Sequence, residues 1–103
     1  MKFIKALISG WYAGKGSKSI RKEKYEKALN YFERALAHSW NKYDPVIYDS
    51  MAIALYKLNR HDEALVNIKK SLEQYSLYKG GYQQVAERVK ELKELQEYLQ
   101  KNN

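Results

Sequence analysis

The stretch Tyr25-x-x-Ala28-Leu29-x-Tyr31-Phe32-x-x-Ala35-Leu36 returns 36 residues later as His61-x-x-Ala64-Leu65-x-x-Ile68-x-x-Ser71-Leu72. Large and small side chains alternate at matching places, and within each copy they fall at i, i+3, i+4, i+7, the spacing of one face of a helix. A helical unit of roughly 34 residues that recurs in this way is the pattern of stacked helical hairpins. Ala28, Ala35, Ala64 and Ser71 are small so that a neighbouring helix can come close, while Tyr25, Phe32, His61 and Ile68 fill the gaps between. Glu26, Lys27, Glu33, Arg34, Glu63, Lys69 and Lys70 are left for solvent. Each copy therefore needs a partner helix. For the second copy it is the stripe Tyr48-x-x-Met51-Ala52-x-x-Leu55-Tyr56, with Asp44 as N-cap, Pro45 at the first helical position and a stop near Asn59.

These residues resemble the tetratricopeptide repeat family, whose unit has an aromatic, a Leu-Gly pair and a Tyr on its first helix and Ala, aromatic, Ala on its second. Tyr48 stands at the aromatic place, Met51-Ala52 replace Leu-Gly, Leu55 replaces Tyr, and Asn59-Arg60-His61-Asp62-Glu63-Ala64 resembles the usual turn; the closing proline is missing. One 34-residue step on, Tyr82, Val85, Ala86 and Val89 repeat the spacing and run through Leu92, Leu95 and Leu99 as one long polar-backed helix, similar to the caps that close such arrays. The resemblance implies an all-α fold of antiparallel hairpins stacked as a short right-handed α-solenoid. One domain spans residues 1–103, with an irregular first repeat over 1–39, a second over 44–76 and a capping helix over 80–101.

The segment before Tyr25 fits least well. Our reading takes residues 2–13 as the first helix, with Ile8, Ser9 and Tyr12 at the Leu, Gly and Tyr places, and residues 14–19 as an extended connection. Two glycines and two serines in six residues break helices, and Ser19 is placed to cap the next one. A helix in direct register across residues 9–22 would instead put Lys15 and Ser19 in the interface, at roughly 2 kcal/mol or more of desolvation each.

A chain of 103 residues buries roughly 60 to 65% of its unfolded surface, enough for a core without staples. Zero cysteines suit a reducing cytoplasm. The apolar N-terminal stretch is interrupted by Lys5 and too short for a signal-peptide core or a membrane span.

The net charge of +7 is uneven: residues 1–27 hold eight lysines and arginines against Glu23 and Glu26, a surplus of six, and the rest of the chain is nearly neutral. Lys2, Lys5, Lys15, Lys18, Arg21 and Lys22 form a candidate patch for an anionic partner, an acidic protein segment or a phospholipid surface, with nucleic acid disfavoured. Phe3, Ile4, Leu7, Ile8, Trp11 and Tyr12 recur beside them at helical spacing, as in an interfacial membrane helix. The blander reading is a repeat helix with its apolar side inward. If those groups are not all covered within one chain, a homodimer through the N-terminal helix follows.

No catalytic centre, metal set or cofactor loop emerges. Gly14-Lys15-Gly16-Ser17 lacks the first glycine and the spacing of a phosphate-binding loop, His38 and His61 have no second His at metal spacing, and the acids of the last helix fit i, i+4 pairing with lysines. In the resembled family, ligands lie on the concave face of the first helices. That implies a partner groove of Val46, Asp49, Ser50, Ile53, Tyr56 and Lys57, continued by Gln83, Gln84, Glu87 and Lys90. The basic and Asn residues that clamp a terminal carboxylate in chaperone-binding members are absent there. The expectation is a non-enzymatic interaction module that takes a peptide or helix through Ile53 and Tyr56. The alternative is a peripheral anchor that binds an anionic membrane surface or nucleic acid through the basic N-terminal segment.

Overall fold

The computed structural model describes residues 2–38, 45–77 and 83–101. They form five helices: α1 (Lys2–Arg21), α2 (Tyr25–His38), α3 (Pro45–Lys57), α4 (His61–Tyr75) and α5 (Gln83–Lys101). Two hairpins, α1–α2 and α3–α4, stack through α2 and α3, and α5 covers α4. The fold is an all-α helical repeat.

The repeat extends to its turns. Glu23 and Asn59, 36 residues apart, both adopt the left-handed conformation, with φ of 59° and 61°. In each turn the following amide reaches back five residues, Lys24 N to Ser19 O at 2.8 Å and Arg60 N to Leu55 O at 2.9 Å. A second bond reaches back three, Glu23 N to Ile20 O and Asn59 N to Tyr56 O. This pair of bonds is the Schellman ending, which satisfies the last carbonyls of a helix. One further position repeats with its polarity reversed. Ser9 on α1 donates to Ala35 O on α2 at 2.8 Å, and in the second hairpin Ser71 on α4 donates to Pro45 O on α3 at 3.0 Å. The same two places close each hairpin with one buried hydrogen bond, about 1 kcal/mol apiece.

The core is built from Ala28, Leu29, Phe32 and Ala35 of α2, Ile47, Met51, Ala52 and Leu55 of α3, Ala64, Ile68 and Tyr75 of α4, and Leu92 and Leu99 of α5. Ala28, Ala52 and Ala64 are fully buried where helices approach most closely. Asp44, the expected N-cap of α3, and Tyr82 lie outside the described residues, and Tyr75 is buried.

The first helix corrects the sequence reading. Residues 14–19 are not an extended connection, and α1 runs unbroken from Lys2 to Arg21. Ser19 does not cap α2: it is buried inside α1 and its hydroxyl donates to Lys15 O at 3.0 Å, which removes the expected desolvation cost. Lys15 is only half-buried and keeps its ammonium outside, over the Trp11 ring at 5.2 Å. The direct register is therefore the one adopted. Gly16, not Ser9, stands 12 residues before Ala28 as Ala52 stands before Ala64, and a Cβ on it would meet the Phe32 ring at 2.7 Å. A close approach of α2 explains the glycine, and tertiary packing overrides the roughly 1 kcal/mol that each mid-helix glycine costs.

Candidate functional site

Because α1 faces its partner with Ser9, Gly16 and Ser19, buried, and Tyr12, Ala13 and Ile20, half-buried, its inward stripe is small and partly polar. The larger apolar groups are on the other side. Ile4, Leu7, Ile8 and Trp11 are 49%, 60%, 36% and 58% exposed. Their line continues along the helix: Ile4, Ile8, Trp11, Lys15, Lys18 and Lys22 follow at alternating steps of four and three, the spacing of a single seam. This seam is apolar in its first half and cationic in its second.

At its cationic end the seam opens into a cavity of about 160 Å3 between α1 and the start of α2, lined by Lys15, Lys18, Ser19, Lys22, Lys24, Lys27 and Tyr31. No acidic residue lines it. Among the described residues Arg60 and Arg88 form ion pairs, and none of these five lysines is within ion-pair distance of a carboxylate. Glu26, next in sequence to Lys27, turns instead towards Arg60, 3.7 Å away. Arg60 also donates to Glu63 at 2.6 Å, and that hydrogen bond, with the charges of Glu63 and Glu26, raises its already high pKa. Beside the cavity lies an aromatic cluster, in which Tyr12 stacks on His38 at 5.5 Å and approaches Tyr31 at 6.4 Å, with Arg34 over the Tyr12 ring at 6.0 Å.

The anionic-partner patch read from the sequence is thus partly gathered. Lys15, Lys18 and Lys22 come together, joined by Lys24, Lys27 and Tyr31, which the patch had omitted. Lys5 and Arg21 are exposed but do not line the cavity, and the Lys2 side chain lies outside the described residues. The signal for Lys24 and Lys27 was the hairpin: its turn folds the start of α2 beside the end of α1.

The concave groove fares differently. Asp49 is not a groove side chain: it is 2% exposed and holds three helices together, accepting from Tyr75 Oη of α4 at 2.8 Å and facing Arg88 Nε of α5 at 3.7 Å. Ile53 and Tyr56 are half-buried rather than exposed. Tyr56 stacks on His61 at 5.7 Å and meets the edge of Tyr98 at 6.2 Å, so α5 occupies part of the face it was expected to offer. Val46, Lys57, Glu87 and Lys90 are exposed and Ser50 half-buried; Gln83 and Gln84 belong to α5, their side chains outside the described residues. Gly14-Lys15-Gly16-Ser17 is helical and forms no phosphate-binding loop. Among the described residues no group of His, Asp and Glu is arranged to hold a metal ion, and no helix is long and apolar enough to cross a membrane.

Comparison of the chain with models of protein families, with curated proteins and with solved structures gives no match.

Proposed function

We propose that this chain is a non-enzymatic interaction module, a short tetratricopeptide-like helical repeat of the cytoplasm, that docks a segment of a partner protein along the outer seam of α1. The observation that carries the proposal is the exposure of Ile4, Leu7, Ile8 and Trp11 on one helix in line with Lys15, Lys18 and Lys22. Exposed apolar groups that are contiguous mark interaction surfaces, whereas scattered ones do not. The complementary partner is an amphipathic helix with apolar anchors at one end and carboxylates at the other. The concave groove is the weaker docking face, since Asp49 is internal and Tyr56 is half-buried with its ring against the edge of Tyr98.

The test compares two variants of the full chain in partner capture followed by mass spectrometry. Leu7→Ser with Trp11→Ser should lose the partner, while Ile53→Asp with Tyr56→Ala should keep it, both with unchanged helix content by circular dichroism. The reverse pattern would return the site to the groove. A second reading has its own support: the apolar and cationic halves of the seam follow one line and can meet one flat surface, as in a helix lying on anionic lipid. Co-sedimentation with phosphatidylserine vesicles that survives no increase in salt would favour that anchor over a protein partner.

A further inference from the structure

We infer that the lysine cavity between α1 and α2 is a binding site for a phosphoryl group, carried by a soluble phosphate ester or by a lipid headgroup. Lys15, Lys18, Lys22, Lys24 and Lys27 converge on it from two helices and their turn, and Tyr31 adds a phenol. Five lysines line one space with no carboxylate among its lining residues, and the Lys15 ammonium sits over the Trp11 ring at 5.2 Å; like charges gathered in this way repel one another, and a multiply charged anion reverses the sign of that interaction. The volume of about 160 Å3 is an order of magnitude above the roughly 10 to 15 Å3 that admits one water, so the space has room for a small anion.

The backbone also favours an anion here. The end of α1 would ordinarily present negative carbonyls, but those of Lys18, Ser19 and Ile20 are already taken by the amides of Lys22, Lys24 and Glu23. The start of α2, whose first-turn amides have no acceptor within the helix, brings the positive end of its dipole to the same place. Ser19 cannot serve the ligand, since its hydroxyl is committed to Lys15 O. Recognition falls to the lysines and Tyr31, which donate to phosphate oxygens by charge-assisted and neutral hydrogen bonds.

Inorganic diphosphate titrated calorimetrically into the full chain is the direct probe. Lys18→Gln with Lys22→Gln should weaken binding at least about ten-fold, equivalent to ~1.4 kcal/mol. Lys5→Gln with Lys57→Gln removes the same charge away from the cavity and should weaken it less than about two-fold, as long-range charges are screened. Tyr31→Phe should weaken it several-fold without changing net charge. Equal losses in the two double variants, or binding that does not saturate, would overturn the site and leave only diffuse attraction. Vesicles holding a phosphatidylinositol phosphate, set against phosphatidylserine vesicles of equal charge, identify the source. Preference for the former assigns a headgroup, and diphosphate binding with no such preference assigns a soluble ester. Leu7→Ser weakens the apolar half of the seam and alters no residue that lines the cavity, so diphosphate binding that persists there separates this site from the docking proposal.

Discussion

Replacing Gly16 by alanine sets two effects of known size against each other. In a helix interior alanine is favoured over glycine by roughly 0.8 to 1 kcal/mol. At Gly16, however, the new Cβ would lie 2.7, 2.8 and 2.9 Å from Cε1, Cζ and Cδ1 of Phe32, against ordinary contacts that begin near 3.4 Å. The ring must retreat by about 0.7 Å on these distances, and Phe32 is 1% exposed, locked between α1 and the core. Overpacking of this kind costs about 1 to 3 kcal/mol, so the net change is a loss of up to about 2 kcal/mol after the propensity gain. Gly14→Ala is the internal control, because nothing lies within 4 Å of a Cβ there; it should stabilise by up to ~1 kcal/mol. Subtracting the two removes the propensity and isolates the packing cost. In a thermal melt followed at 222 nm, the variants should differ by at least about 4 °C, given roughly 4 to 8 °C per kcal/mol for a domain of this size. Phe32→Leu in the Gly16→Ala background should recover part of the loss, a coupling that distant pairs do not show. Equal melting temperatures for Gly16→Ala and Gly14→Ala would refute the close approach of α1 and α2.

Other consequences are as direct. Glu23→Gly should raise stability by about 0.5 to 1 kcal/mol, since φ of 59° costs a side chain and not a glycine; denaturant titration measures it. Tyr75→Phe should cost about 1.5 to 3 kcal/mol by leaving the buried Asp49 carboxylate without its phenol donor. Arg88→Gln should cost less than about 1 kcal/mol because that side chain is 45% exposed and its contact is 3.7 Å long. Ala64→Arg should unfold the second hairpin, since the site is fully buried and a cation cannot be desolvated there; a circular-dichroism melt checks it.

Helices α2 to α5 were largely legible in the sequence, because they bury large apolar groups at helical spacing and the alternation of Ala28, Phe32 and Ala35 with Ala64, Ile68 and Ser71 encodes which faces meet. The turn at Asn59 and the polar-backed final helix followed from the same pattern. Where α1 lies could not be read in this way. Its buried stripe is Ser9, Gly16 and Ser19, and its exposed stripe carries Ile4, Leu7 and Trp11, so hydrophobicity points to the wrong side and glycine content points to a break. Only the fit of Gly16 against Phe32 and of Ser9 against Ala35 O decides the helix and its rotation. The candidate site divides along the same boundary. The basic N-terminal third was readable from the residues themselves, since charge is a property of composition. Tertiary structure decided that Lys15, Lys18 and Lys22 share a cavity with Lys24, Lys27 and Tyr31, and that Asp49 is a buried tie between helices. Convergence of side chains from two helices depends on the turn and the packing that hold those helices side by side, and no single helical period contains that information.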